Sequence, residues 1–196
     1  MKKVFAFTLA EMIITLTVVA VIAALVIPVL INVKPDTNNI LFRKAFYTFS
    51  EAVYAIVNDT SLYTDDNPAF TAAAQNNSNI CQNLTNMLSI TGDQNICGDS
   101  SNDFGTIPSF TLSNGIAFFL PNASTISSED EKITIKVDVN GPNNGPNVLA
   151  DQNNNCDGDR YEFYLYGNGK VGTDYTQSNH YCATEALKKG SKISKD

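Results

Sequence analysis

Between Lys3 and Lys34 the chain carries one charge, the carboxylate of Glu11. A carboxylate at the lip of an apolar segment costs free energy unless it reaches water or meets a cation. The chemistry expected of Glu11 is therefore ion pairing in a medium of low dielectric, where opposite charges attract strongly. In a plain membrane anchor the same side chain would only snorkel to the headgroups. A second set of reactive residues is Cys81, Cys97, Cys156 and Cys182, all beyond the apolar segment. None forms a C-x-x-C pair, so neither a zinc knuckle nor a thioredoxin-type site is expected. Two disulfides in an oxidising compartment are expected instead of four free thiols in the cytosol. Four cysteines allow three pairings. The spacing favours Cys81 with Cys97 as a local staple and Cys156 with Cys182 as a second loop around the last strands.

A third constellation alternates oxygen side chains, Asp151, Asn153, Asn155, Asp157 and Asp159, and then reaches Glu162. If such a loop curls, its oxygens can converge on one hard cation such as calcium, with the terminal glutamate closing the shell. The sixth position is Cys156 where a helix–loop–helix calcium site has glycine, and Glu162 is expected to start a strand. Asn and Asp are also ordinary turn formers. A solvated loop tied down by Cys156 is the reading these residues favour, with calcium as the alternative. His180, the only histidine, stands in a polar stretch without a motif. No phosphate-binding loop, dinucleotide fingerprint or H-E-x-x-H sequence is present, and no catalysis is expected.

The residues around Glu11 carry the sharpest signal. Met12–Ile31 is uncharged, and as a helix would be about 30 Å long, matching the hydrocarbon thickness of a bilayer. A secretory signal peptide would have a shorter apolar region, roughly 7–15 residues, followed by a small-x-small cut site. Before the run stand Lys2-Lys3-Val4-Phe5-Ala6 and then Phe7-Thr8-Leu9-Ala10-Glu11. This resembles the leader and methylation motif of type IV pilins and type II secretion pseudopilins. The resemblance is specific over about the first 30 residues, five features coinciding in one short window, and architectural beyond them. It implies cleavage between Ala6 and Phe7, N-methylation of Phe7, and Glu11 as the fifth residue of the mature chain. Ala6 departs from the usual glycine. Pro28 falls where many members carry a helix proline, which removes one helix hydrogen bond and predicts bending or extension there in filaments. The amine of Phe7 would pair with Glu11 of a neighbouring subunit. Major pseudopilins also use calcium in a C-terminal loop, which is the resemblance behind the alternative at Asp151–Glu162. Lys34, Arg43 and Lys44 follow the span, so positive charge alone does not settle its orientation.

The elements that must position these residues follow from periodicity. Asn32-Val33-Lys34-Pro35-Asp36 closes the apolar run. Leu41, Phe42, Ala45, Phe46, Phe49, Ala52, Val53, Ile56 and Val57 then recur at helical spacing, with Arg43, Lys44, Ser50 and Glu51 opposite. From about Asn58 to Pro108 a long polar connection is expected, with one short helix near Asn79–Leu88. Ser109–Leu112 and Ile116–Leu120 flank Asn114-Gly115, which suits a type I′ hairpin turn. Lys132–Val139 alternates strictly, as a half-buried strand does, and Tyr161–Tyr166 pairs with Lys170-Val171 around Gly167-Asn-Gly169. The expected fold is α+β and pilin-like: a long N-terminal helix, its first half in the membrane, packed on four or five antiparallel strands. The organisation is a leader at 1–6, a transmembrane or filament-core helix at 7–31, its amphipathic continuation at 32–58, and a globular β domain at 59–196. Lys188–Asp196 is expected to fray.

The chain has 13 Lys and Arg against 20 Asp and Glu, a net charge of −7. That balance argues against binding nucleic acid through a basic face. The leading expectation is a single-pass protein of a bacterial inner membrane, with its globular domain outside the cytoplasm. It would then be built into a filament in the periplasm or on the cell surface. Implied partners are itself and related pilins, a prepilin peptidase, an inner-membrane assembly platform and a motor ATPase. The competing expectation is a membrane-anchored binding module, calcium-dependent if the loop holds the ion, that does not polymerise. A hydrolase on an anchor is the remote third.

Overall fold

The computed structural model describes residues 9–32, 37–59, 61, 77–91, 97, 104, 107–121 and 128–191, without the side chains of 25–32, 77–79 and 189–191. The chain divides into two units, Met1–Thr37 and Asn38–Asp196.

In the first unit the described residues form α1, Leu9–Asn32. Its backbone runs through Pro28 to Asn32, while its described side chains stop at Ala24. Among the described residues no helix is long and apolar enough to cross a membrane.

The second unit is built on α2, Thr37–Asn58. The expected continuation over 32–58 corresponds to this helix from Thr37 onward, residues 33–36 lying outside the described set. One stripe of α2 is buried: Asn39, Phe42, Ala45, Phe46, Phe49, Ala52, Val53 and Ile56. Short spacings of three and four place these on one face, which is why the helix forms against a sheet rather than alone. The sheet has six antiparallel strands in sequence order: β1 Ile90–Thr91, β2 Phe110–Leu112, β3 Ala117–Phe119, β4 Lys132–Asp138, β5 Arg160–Tyr166 and β6 Val171–Gly172. The sequence suggests only four or five; the strand without a counterpart there is β1, a two-residue edge strand too short to show a period. A helix α3, Asn77–Met87, precedes β1.

Aromatic packing joins α2 to the sheet. Phe42 stacks on Tyr161 with centroids 4.4 Å apart, Phe49 meets Phe163 edge-on at 5.2 Å, and Phe49 stacks on Phe118 at 5.5 Å. Each such pair adds about 1 kcal/mol to the area it buries. The Tyr161 hydroxyl donates to Asn39 Oδ1 at 3.1 Å, which satisfies both buried polar groups.

The register of β4 and β5 is set over seven pairs from Lys132↔Tyr166 to Asp138↔Arg160. Strand alternation turns Tyr161, Phe163 and Leu165 toward α2 and leaves Arg160, Glu162, Tyr164 and Tyr166 on the other face. That second face is covered too, by α4, Ser178–Ser191, so β5 is buried along both sides. The sequence reading has no helix here. Two turns also differ. The β2–β3 hairpin closes with the Gly115 N–H donating to Leu112 O at 2.9 Å. Gly115 is at φ 89° while Asn114 is not left-handed. The connection is therefore a type I turn ending in a glycine bulge, not type I′. The final hairpin keeps its expected place, Tyr166 and Lys170 bonding across Gly167-Asn-Gly169.

Candidate functional site

In α1 the apolar side chains face outward on every side. Leu9, Met12, Ile13, Ile14, Leu16, Val18, Val19, Val21 and Ile22 are all more than half exposed, Leu9 at 82%. The two threonines do not make a polar face: Thr15 Oγ1 donates to Met12 O, and Thr17 Oγ1 to Ile14 O at 2.8 Å. Back-bonding of this kind removes a hydroxyl from the competition for solvent. The only ionisable group of α1 is Glu11, in its first turn. An anion there is favoured by the helix dipole. Ala6 and Phe7 lie outside the described residues, and the structure places Pro28 inside the helical backbone.

The cysteines pair as Cys81–Cys97 and Cys156–Cys182, the pairing that the spacing favours. The first ties α3 to the segment after β1. The second ties the loop before β5 to α4.

The proposed calcium ligands are not brought together. Among the described residues no group of three or more His, Cys, Asp or Glu could hold a metal ion. Asp151 instead closes a turn, accepting the Asn154 N–H at 2.9 Å, while Asn154 Oδ1 accepts the Asp151 N–H at 3.0 Å. Asn153 donates back to Asp151. Asn155 is left-handed at φ 55°, and Asn155 and Asp157 are both exposed. Asp159 is buried and uses both oxygens on the preceding loop, accepting Asn147 N–H at 3.1 Å and Val148 N–H at 2.9 Å. Glu162, two residues into β5, is carried to the α4 side, where Asn179 donates to it and Lys136 Nζ lies 3.7 Å away. The oxygens of Asp151 and Asp159 are thus engaged in turns and in the preceding loop, and Glu162 is carried away on the strand.

No family model, no curated protein and no solved structure matches this chain.

Its own geometry shows a polar clamp that the alternation hid. Asp138 is fully buried at the end of β4, and Arg160 Nε donates to its Oδ2 at 3.0 Å. Arg160 Nη2 reaches Asn147 Oδ1 at 3.3 Å. Burial pushes the Asp138 carboxyl above its ordinary range, and the hydrogen bond from Arg160 opposes that. Gly145, at φ 76°, packs against the clamp: a Cβ there would stand 2.3 Å from Asp159 Oδ2 and 2.2 Å from Asn140 Nδ2.

His180 is fully buried in α4, stacked on Tyr164 at 4.2 Å, and among the described residues neither ring nitrogen has a hydrogen-bond partner. Burial lowers its pKa to about 4, so the ring is neutral near pH 7.

The outer face of α2 also differs from expectation. Arg43 and Ser50 are half-buried, Ser50 donating to Phe46 O. Ile40, Tyr47 and Tyr54 are exposed instead, alongside Lys44 and Glu51. Their seven-residue spacing was the available signal.

Proposed function

We propose that the chain is a pilin-like subunit of a type IV pilus or type II secretion pseudopilus, held in a bacterial inner membrane before assembly. The observation that carries this reading is α1, apolar on every described side, with Glu11 as its only charge. A surface this greasy has to be covered, by lipid or by other helices. The uncharged run Met12–Ile31 would make about 30 Å of helix, against about 30 Å of hydrocarbon, while the part of α1 with described side chains ends at Ala24 and does not by itself reach that length.

In this reading a prepilin peptidase cuts between Ala6 and Phe7 on the cytoplasmic side and leaves the span attached. The new amine of Phe7, N-methylated, is the cation for Glu11 of a neighbour already in the filament. Apolar helices can slide past one another at little cost, so one charge pair among them fixes register. The two disulfides fit a domain exposed to an oxidising compartment. An assembly platform and a motor ATPase supply insertion and extraction, and the chain itself performs no catalysis.

The test is the mass of the chain recovered from membranes, expected to begin at N-methylated Phe7. In the same cells Glu11→Ala should leave membrane insertion intact and lower filament yield by roughly a hundredfold, since a stranded partner charge remains buried. An intact Met1, or a normal yield with Glu11→Ala, would overturn the proposal and leave a non-polymerising anchored module.

A further inference from the structure

We infer that Lys136 and Asn179 condense into an isopeptide bond, with Glu162 between them carrying the protons, so that β4 and α4 become covalently tied. The register of the sheet brings the first two together. Lys136 and Glu162 are direct cross-strand partners on β4 and β5, and alternation turns both toward the face that α4 covers. Lys136 Nζ stands 3.7 Å from Glu162 Oε1, the two side chains being only 14% and 9% exposed. The other oxygen of the same carboxylate, Oε2, accepts from Nδ2 of Asn179 in the first turn of α4. Phe104 lies over the amine, its ring centroid 5.2 Å from Lys136 Nζ and 5.6 Å from the ring of Phe119, edge-on. One carboxylate thus stands between an amine and a carboxamide, in a place with little water.

A lysine and a glutamate facing each other across two strands are an ordinary stabilising pair. The carboxamide on the second oxygen changes the chemistry. In water an amine attacks an amide very slowly, because the amine is protonated and the amide nitrogen leaves poorly. Here one residue meets both needs: Oε1 faces the nitrogen that must lose protons, and Oε2 the nitrogen that must gain them. Groups held as fixed neighbours react as though at about 10⁵–10⁸ M, and exclusion of water suppresses hydrolysis of the carboxamide. At 3.7 Å the amine is at ion-pair rather than hydrogen-bond distance from Oε1, and its flexible stem can swing it to Asn179 Cγ.

The step conserves atoms and charge. Lys136 Nζ passes one proton to Glu162 and bonds to Asn179 Cγ, the carbonyl electron pair moving onto Oδ1. Nζ loses a second proton as that pair returns and the Cγ–Nδ2 bond breaks. Glu162 relays both protons to Nδ2, which leaves as ammonium, and Glu162 ends as the carboxylate it began as. No oxidant or co-reactant takes part, and the event is a single self-modification rather than turnover on a substrate. The bond anchors the first turn of α4, while the Cys156–Cys182 bridge holds the turn that follows. None of the three residues belongs to α1, so the bond forms whether or not the chain enters a filament.

The experiment digests the full chain, recovered from membranes, with trypsin before and after reduction and thiol blocking. Cleavage after lysine and arginine puts Cys156 in peptide 137–160, or in 133–160 if Lys136 resists, and puts Asn179 and Cys182 together in 171–188. The native bridge links these peptides before reduction. An acylated Lys136 is not cut, so after reduction 133–160 and 171–188 are expected to stay joined in most copies, lighter than their sum by one ammonia. Lys136→Arg should abolish the joined species and Glu162→Gln should lower it several-fold, both keeping the bridged peptides before reduction. Separate 137–160 and 171–188 peptides after reduction, from chain whose bridge was intact, overturn the bond and leave the filament reading untouched. Ammonia loss confined to one peptide also overturns it, since that is an asparagine closing on its own backbone. An undiminished joined species in Glu162→Gln overturns the proton-carrying role of Glu162.

Discussion

His180 and Tyr164 lie face to face, and Lys132 Nζ stands 3.9 Å from the centroid of the same tyrosine ring. The Tyr164 hydroxyl donates to Gln177 Oε1 at 2.7 Å, so the stack is held from above as well. A proton on His180 would be a second cation against this ring, with Lys132 opposing it and Asp174 favouring it. Burial decides the balance, holding the folded pKa at about 4 against 6.5 for a free imidazole. The unfolded chain therefore binds the extra proton first. Stability is fully present above about pH 6.5, falls as pH drops toward 4, and by linkage loses on the order of 3 kcal/mol across that window. Asp138 works with the opposite sign, because burial raises its carboxyl and it takes a proton more readily in the folded state. Urea unfolding from pH 7 to pH 4 should show the loss, and His180→Phe, which preserves the stack, should flatten it. An unchanged slope in that variant would exclude His180 as the cause. Nothing local revealed this residue. Ser178 and Asn179 beside it are polar, and its partner Tyr164 comes from a strand two turns of chain earlier.

The elements were legible where a period or a turn residue spoke for them. Phe42–Ile56 announced a helix with one apolar face, and Lys132–Asp138 a strand with alternating burial. α4 was missed although Cys182, Ala183, Ala186 and Leu187 recur at helical spacing, because small and charged residues dominate Ser178–Ser191. The run of aromatic and aliphatic residues in β5 was the indirect clue. A strand apolar at successive positions has both faces covered, and only a second helix layer could cover the outer one. What holds that layer is Cys156–Cys182 together with the Asn179–Glu162 hydrogen bond. The bridge closes a loop of 26 residues, for which removal costs about 3 kcal/mol through the unfolded chain. Cys156→Ser with Cys182→Ser should therefore lower stability by about that amount. It should also speed amide exchange over Ser178–Leu187 well before exchange in β4. The pair Cys81→Ser with Cys97→Ser should leave α4 exchange as it was. Equal exchange throughout α4 in both double variants would show that packing of the helix on Tyr164, not the bridge, fixes it.

For the whole molecule, the change of pattern between Ile31 and Thr37 marks a change of environment. Before it, side chains are apolar all round; after it, apolar residues keep to one side of α2. The sequence showed this break clearly, because hydropathy needs no knowledge of partners. It could not show the clamp of Asp138, Asn147, Asp159 and Arg160, whose members meet only once β4 and β5 are in register. The two units follow the same division, Met1–Thr37 and Asn38–Asp196. The second contains the sheet, both disulfides, the stripe of α2 and the entire aromatic core, and it is long enough to bury a core of its own. Its stability should therefore be independent of α1. A fragment beginning at Thr37, made in an oxidising compartment, is expected to remain monomeric without detergent. Its cooperative thermal transition should lie within about 4 °C of the full chain in micelles, a difference of under about 1 kcal/mol for a domain of this size. A fragment that lacks a cooperative transition, or melts far lower, would mean that α1 contributes to the core and that the break near Thr37 is not a boundary of stability.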